Sequence, residues 1–246
     1  YSFVNLPAGN FTIRVITSAY SGESPTDHRL PSGLTATVDP DGIGTLHSSS
    51  AAITPGTILN NQNFGYRGSG ALGDLVWIDY NGNQIQDGAE PPIANATVNL
   101  NWTGTSPYSG TYSATATTNS SGIYSFQNLL PGTYVLQVSS GIPSGLNLVG
   151  PSSPRSYTLG VNEANLTADF GYQGNYEISG RLHLDWNNNG TYDSGETGLP
   201  NVTLTLSDSS NSIIETIITA SDGTYRFTNL SDGPYRISVQ TGTLPA

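Results

Sequence analysis

Short motifs recur along this chain at intervals of about 100 to 120 residues, and this repetition limits the fold more than any other feature. The segment Tyr1-Ser-Phe-Val-Asn-Leu6 has counterparts that begin at Tyr124 and Tyr225, and Phe64-Gly-Tyr66 returns as Phe170-Gly-Tyr172. Self-similarity at this period indicates one domain per repeat. The fold must therefore be a small unit that can be joined in tandem.

The alignment of these motifs predicts one whole repeat and two partial ones. Residues 71–174 form the complete repeat, residues 1–70 the C-terminal part of an earlier one, and residues 175–246 the N-terminal part of a later one. No long flexible linker separates the repeats, so we expect stiff coupling between neighbours. The chain is interpreted as a window on a longer protein, because head-to-tail joining of separate pieces would duplicate the residues that follow Tyr1 and Tyr225.

The local pattern within each repeat indicates β-strands. Thr97–Trp102, Tyr112–Thr117, Tyr134–Val138 and Val202–Leu206 are short, rich in β-branched residues and often alternating, and Gly, Pro, Asn and Ser interrupt them. The sequence shows no convincing amphipathic helix. About seven short strands in a domain of about 100 residues predict an all-β fold, a series of tandem Greek-key β-sandwiches of the prealbumin-like or immunoglobulin-like type.

Composition excludes several classes of function. The net charge is −11 and the basic residues do not cluster, which argues against nucleic acid or anionic lipid as a partner. No apolar run approaches the ~20 residues that a membrane span needs. The chain contains no cysteine, so an extracellular protein of this kind must find its rigidity in packing, in a bound metal or in another crosslink. It also contains no lysine.

Two acidic loops, Asp79–Glu90 and Asp185–Glu196, place oxygen-bearing side chains at positions 1, 3, 5, 9 and 12. This is the spacing of a calcium loop, in which the residue at position 7 contributes its backbone carbonyl. Hard oxygen donors without thiolate or clustered imidazole select Ca²⁺. The candidate ligands are Asp79, Asn81, Asn83, Ile85, Asp87 and Glu90 in the first loop, and Asp185, Asn187, Asn189, Thr191, Asp193 and Glu196 in the second.

The alternative for each loop is a solvated turn, because Asp, Asn and Gly are common in turns. Two loops in register favour metal binding, since a turn has no need of acids at positions 9 and 12. The flanking residues indicate strands rather than helices, so the ion would clamp a loop instead of operating a sensor. Gln84 stands where the second loop has Gly190, which predicts a weaker or distorted first site.

Three segments of the middle repeat together resemble one family. GDLVWIDYNGNQIQDGAEPPIANATVNL, SGIYSFQNLLPGTYVLQV and ADFGYQG are similar, in this order, to the SdrD B-like domains, relatives of collagen-adhesin Cna B-type domains. The resemblance implies a β-sandwich, Ca²⁺ in the D-x-N-x-N loop, and use as tandem spacers in long surface proteins. Cna-type relatives often carry a Lys–Asn crosslink, which this chain cannot form. The resemblance also implies further calcium sites in some members, and Asp39 and Asp41 belong either to such a site or, in the favoured interpretation, to a turn.

The remaining polar residues suggest modification rather than catalysis. His28, His47 and His183 fit no zinc or nucleophile pattern, and we expect His183, the counterpart of Trp77, to face outward. The segment is therefore predicted not to be an enzyme. Surface glycosylation is plausible at sequons; the candidate acceptors are Asn10, Asn95, Asn101, Asn119, Asn165, Asn201 and Asn229.

The leading hypothesis is structural: a calcium-stabilised tandem β-sandwich stalk or fibre segment of a prokaryotic surface protein, located outside the cell. Its partners would be neighbouring repeats of the same chain, with lateral self-association left open. The alternative is an adhesin module that binds a host protein or glycan. That alternative predicts an exposed aromatic patch, with Trp102 and Tyr108 as the candidates.

Overall fold

The computed structural model describes residues 1–17, 30–88, 90–104 and 107–245. Strands account for nearly all its regular structure, and two 3₁₀ turns, Ile43–Thr45 and Thr241–Thr243, are the only helical elements in those ranges. Neither of these turns, nor any other helix in the described ranges, has the length and hydrophobicity of a membrane span. The predicted all-β fold class is confirmed.

The first segment contains four strands in two small antiparallel sheets. Strand β1 pairs with β3, and β2 pairs with β4. These pairs correspond to the second half of a repeat, as described below for the middle one. The strands are β1 (Gly9–Arg14), β2 (Thr35–Val38), β3 (Ser48–Ile53) and β4 (Gly65–Arg67).

The middle repeat is a sandwich of two sheets. Its strands are β5 (Gly70–Ile78), β6 (Thr97–Gly104), β7 (Gly110–Thr117), β8 (Ile123–Leu129), β9 (Gly132–Ser140), β10 (Leu146–Leu148), β11 (Arg155–Leu159), β12 (Ala164–Asn165) and β13 (Phe170–Gly174). One sheet has the order β10-β13-β5-β12, with β8 also paired to β5, and the other has the order β11-β9-β6-β7. Strands β12 and β13 run parallel to β5, whereas the other pairs are antiparallel.

The third segment repeats the first part of this arrangement. Strand β14 pairs with β17 as β5 pairs with β8, and β15 lies between β16 and β18. A smaller core, formed by Leu204, Leu206, Phe227 and Leu230, lies between these sheets. The strands are β14 (Tyr176–Arg181), β15 (Thr203–Ser207), β16 (Ile213–Ile218), β17 (Thr224–Leu230) and β18 (Arg236–Val239).

Alternation along β6 explains how the middle core forms. Val98, Leu100 and Trp102 are buried, whereas Asn101 is exposed on the opposite face. The buried residues pack against Leu136 and other core residues of the two sheets. Burying a side chain of this size stabilises the fold by about 1.5 to 3 kcal/mol. The period-2 pattern therefore determines which face of the strand enters the core.

A buried threonine braces the same loop in both repeats. The Thr118 hydroxyl donates to the Ile93 carbonyl oxygen at 2.7 Å and accepts the Ala96 N–H at 2.9 Å. Its counterpart Thr219 makes the same two kinds of bond at 2.6 and 3.0 Å. The hydroxyl thereby satisfies a main-chain donor and a main-chain acceptor that have little access to water.

Replacing Thr118 with valine keeps the side-chain volume but leaves both main-chain groups without their partner. We expect the free energy of unfolding to fall by about 1 to 3 kcal/mol. Chemical denaturation of Thr118→Val should be compared with that of Thr115→Val, whose site is exposed on β7. Equal stabilities for the two variants would contradict the bracing role.

Candidate metal centres

Each acidic loop follows the first strand of its repeat. The first begins at Asp79, directly after β5, and the Asp79 N–H donates to the Tyr172 carbonyl oxygen of β13 at 2.8 Å. An isolated antiparallel β-bridge joins the residues two positions before and two positions after each loop, Trp77 with Pro92 and His183 with Gly198. The loops thus lie between extended segments, and no described helix flanks them.

In the first loop, main-chain N–H groups converge on the side-chain oxygens. Asp79 is completely buried, and its two carboxylate oxygens accept the N–H groups of Gly82 at 2.7 Å and Gln84 at 2.8 Å. The Asn81 amide oxygen accepts the Asn83 N–H at 2.9 Å. The Asn81 bond is an Asx turn, and together with the two Asp79 bonds it folds the loop around its own polar side chains.

The remaining predicted ligands meet in the same loop. Asp87 Oδ2 accepts the amide N–H groups of Asn81 at 2.7 Å and Asn83 at 2.9 Å. Glu90 is buried, and its Oε2 accepts from the Trp77 indole at 3.1 Å and from the Asp87 N–H at 3.0 Å. Hydrogen bonds therefore connect four of the five predicted side-chain ligands of this loop, whereas Asp79 bonds only to main-chain N–H groups.

The second loop has the same arrangement. Asp193 Oδ2 accepts the amide N–H groups of Asn187 at 2.7 Å and Asn189 at 2.6 Å. Asp185 accepts main-chain N–H groups that include that of Gly190, and buried Glu196 accepts the Asp193 N–H at 3.1 Å. The shared hydrogen-bond pattern persists although the residues between the ligands differ.

Hydrogen bonding lowers the pKa of two acids of the second loop, Asp185 and Asp193. The N–H groups of Gly190 and neighbouring residues lower the pKa of Asp185, and the amides of Asn187 and Asn189 lower the pKa of Asp193. A carboxylate that accepts several N–H bonds is stabilised in its charged form. This loop therefore presents negative charge and oxygen donors at neutral pH.

Positions 4 and 6 of both loops adopt left-handed backbone conformations. In the first loop they are Gly82 and Gln84, with φ of 74° and 64°; in the second they are Asn188 and Gly190, with φ of 56° and 75°. Gln84 therefore keeps the conformation of its glycine counterpart, at a cost of about 1 to 2 kcal/mol. The weaker first site stays a prediction.

His183 does not face outward, so that expectation is wrong. Its side chain is 17% exposed, and Nε2 lies 3.4 Å from Glu196 Oε2. It thus takes the place of Trp77, whose indole donates to Glu90. The sequence alignment could have indicated this inward position, because His183 and Trp77 both precede their loops by two positions.

The donor chemistry fits a hard cation, although carboxylates alone do not form a site. No group of three His, Cys, Asp or Glu side chains in the described ranges is placed to hold a metal ion. Amide and backbone oxygens would have to complete the ligand set, as they do in calcium loops. The calcium sites themselves stay a prediction at this point.

The Asp39 segment forms the predicted turn and also buries a carboxylate. The Gly42 N–H donates to the Asp39 carbonyl oxygen at 3.1 Å, and Asp41 Oδ2 accepts the Ser50 N–H at 3.1 Å. Asp39 is only 9% exposed, and neither of its carboxylate oxygens has a hydrogen-bond partner among the described residues.

The predicted aromatic patch is wrong in one of its two residues. Trp102 is 6% exposed, because its position in the β6 alternation directs it into the sandwich, where it stacks on Tyr134 with ring centroids 6.2 Å apart. Tyr108 is partly buried and donates from its hydroxyl to the Ser32 carbonyl oxygen at 3.1 Å.

The other predicted residues lie apart from the loops. The His47 Nδ1 atom lies 2.9 Å from the Tyr66 hydroxyl, and His28 is outside the described residues. Asn165 is partly buried, whereas the other six candidate glycosylation residues are exposed: Asn10, Asn95, Asn101, Asn119, Asn201 and Asn229. Their glycosylation stays a prediction.

Comparison with known sequences identifies similar proteins. A sequence model of the SdrD B-like domain matches residues 70–155 and 176–245. Serine-aspartate repeat-containing protein D of Staphylococcus aureus (strain Newman) is 30% identical over 261 residues, which is 98% of this chain and 18% of that protein. Protein F of Staphylococcus epidermidis is 30% identical over 254 residues, which is 96% of this chain and 14% of that protein. The chain thus spans less than a fifth of these relatives.

Solved structures show only a distant likeness. The Bacillus anthracis TIE protein has a TM-score of 0.34 and 17% identity, over 78% of this chain and 31% of that one. The minor pilin GBS52 of Streptococcus agalactiae has a TM-score of 0.30 and 15% identity, over 71% of this chain and 85% of that one. These scores are too low to define a shared arrangement of domains.

Replacing Gly190 with alanine should destabilise the second loop even without metal. A Cβ atom there would meet no neighbour within 4 Å, so the cost is that of the left-handed backbone, about 1 to 2 kcal/mol. Chemical denaturation in EDTA measures this change in the free energy of unfolding without any contribution from bound metal. The control is Gly88→Ala, at a position with equally open space and no left-handed φ. If Gly190→Ala loses no more free energy of unfolding than Gly88→Ala does, the left-handed conformation assigned to Gly190 is wrong.

Proposed function

The chain belongs to the SdrD B-like domain family, and on that premise we propose that it is a calcium-stabilised stalk segment of a prokaryotic surface protein. Domains of this family are structural, so the prediction that the segment is not an enzyme is confirmed. Placement outside the cell, within a long chain of repeats, is part of the proposal.

The observation that best supports the calcium proposal is the common geometry of the two loops. In each, the amides at positions 3 and 5 donate to the carboxylate at position 9. The carboxylate at position 1 accepts the N–H of position 6, and the carboxylate at position 12 accepts the N–H of position 9. Ca²⁺ accepts such a set of six to eight oxygen ligands, whereas Mg²⁺ requires a tighter octahedron. A bound Ca²⁺ would leave three carboxylates with a local charge near −1.

Calcium would act where each loop joins the sandwich. In the described loops, the amide N–H groups of Asn81 and Asn83 stabilise the Asp87 carboxylate. A cation would take over that role and hold the loop closed. Because the Asp79 N–H donates to Tyr172 in β13, closing the loop would also restrain the first and last strands of the repeat.

The amino-acid composition indicates why a metal would be needed to stabilise the fold. The chain has no cysteine for a disulfide and no lysine for an isopeptide crosslink. A ligand that binds only the folded state stabilises it by about 2.7 kcal/mol at 100 times its dissociation constant. Each bound ion would therefore add stability to its own repeat comparable to that of one disulfide, typically about 2 to 4 kcal/mol.

The adhesin alternative receives no specific support from the described residues. Trp102, its main candidate, is buried, and the Tyr108 hydroxyl donates a hydrogen bond to the Ser32 carbonyl oxygen. Binding to a host protein or glycan, and lateral association of chains, stay predictions. Neighbouring repeats of the same chain are the partners that the stalk proposal requires.

Removal of calcium should lower the melting temperature of the chain. EDTA would separate the cation from both loops and leave their clustered carboxylates to repel one another. Calorimetry with EDTA, and then with excess Ca²⁺ or excess Mg²⁺, measures the effect. We expect Ca²⁺ to restore the higher melting temperature more fully than Mg²⁺ does. Identical melting in all three conditions would overturn the calcium proposal.

Single ligand replacements should remove the two sites one at a time. Asp87→Asn and Asp193→Asn each take one charged ligand from one loop, so calorimetric titration should show about one strong Ca²⁺ site instead of two. Asp232→Asn serves as the control, because Asp232 is an exposed acid outside both loops. The proposal fails if all three variants bind calcium as the parent chain does.

A further inference from the structure

Two joints connect the three repeats, and both are very short. Two residues, Gly68 and Ser69, separate β4 from β5, and a single residue, Asn175, separates β13 from β14. Gly68 and Gly174 occupy equivalent places after the Phe-Gly-Tyr motif. The last strand of each repeat therefore passes almost directly into the first strand of the next.

At both joints the glycine lies against the main chain of the following repeat. A Cβ atom added to Gly68 would lie 1.9 Å from the Leu129 carbonyl oxygen, and one added to Gly174 would lie 1.8 Å from the Leu230 carbonyl oxygen. Leu129 and Leu230 are equivalent residues at the ends of β8 and β17. The same backbone contact is thus made twice, by different parts of the chain.

Space alone requires glycine at these two positions. Neither Gly68 nor Gly174 has a left-handed φ, so any residue could adopt the backbone conformation. The neighbouring atoms also belong to main chain, since the same Cβ atoms would lie 2.6 Å from the Leu130 nitrogen and 2.4 Å from the Ser231 nitrogen. No flexible side chain could move aside, so a larger residue would have to separate the two repeats.

Other contacts surround the first joint. The Tyr108 hydroxyl of the middle repeat donates to the Ser32 carbonyl oxygen of the preceding one at 3.1 Å. Ser69 donates to the Gly33 carbonyl oxygen at 3.4 Å, and a Cβ atom on Gly33 would lie 2.4 Å from Val161 Cγ1. Close packing of this kind restricts rotation of one repeat against the next.

The second joint also involves the metal loop of the middle repeat. Gln173, the residue before Gly174, donates from its side chain to the Tyr80 carbonyl oxygen at 3.2 Å. Tyr80 is itself partly buried. Position 2 of this loop thus contacts the residue that directly precedes the joint glycine.

We infer that each joint is a specific docking interface, in which the terminal glycine of one repeat packs on the Leu129 or Leu230 backbone of the next and fixes their relative orientation. The partner of this surface is another B-like repeat. The inference adds to the stalk role proposed above, but it rests on backbone contacts and does not require a bound metal.

The orientation of two repeats can be measured with a pair of spin labels. Because the chain has no cysteine, Thr115→Cys and Thr216→Cys introduce unique labelling sites at exposed positions of the middle and third repeats. Pulsed electron spin resonance in EDTA gives the distance distribution between the labels without any contribution from calcium. We expect a narrow distribution that is lost in Gly174→Ala. Gly242→Ala, at a site with open space, should keep it.

A second variant covers the case in which Gly174→Ala does not fold. Inserting Gly-Ser-Gly after Asn175 lengthens the joint without placing a side chain against Leu230. We expect this insertion to broaden the distribution while the circular dichroism spectrum keeps its β-sheet form. A broad distribution in the parent chain, or a narrow one in the insertion variant, would overturn the inference. Because these measurements are made in EDTA, neither result tests the calcium proposal, which the calorimetric titration tests separately.

Discussion

The pairing of β5 with β13 is the interaction on which the rest of the repeat depends. Phe170, Gly171 and Tyr172 of the last strand lie parallel to Val76, Trp77 and Ile78 of the first. This pairing places the Tyr172 carbonyl oxygen where it accepts the Asp79 N–H, and thereby anchors the acidic loop. β5 also begins at one joint, while β13 ends at the other. Core, loop and joints are therefore connected through two adjacent strands.

Much of this organisation could be predicted from the sequence, because it depends on local patterns. Repetition indicates the domain unit, and alternation in Val98, Leu100 and Trp102 indicates a strand with one buried face. The same alternation predicts that Trp102 lies in the core, as the structure shows. The aromatic-patch hypothesis instead predicts that Trp102 is exposed, and this prediction is wrong. For this residue the strand period was the better guide.

The spacing of the acidic loops predicts which side chains converge, but not how they are held. That Glu90 is buried and accepts from Trp77 depends on where β5 lies in the folded sandwich. The inward position of His183 beside Glu196 depends on the same feature in the third repeat. Joint glycines are harder still to predict, since the atoms that exclude a Cβ from Gly174 lie more than fifty residues away in the chain.

The parallel arrangement of β5 and β13 also determines how a repeat responds to tension. In a tandem chain, a pulling force enters the middle repeat at the start of β5 and leaves it at the end of β13. Because these strands are parallel neighbours, such a force slides them past each other, and their hydrogen bonds are loaded together rather than opened one after another. The fold thus places its strand ladder in shear along the direction in which a surface stalk is pulled.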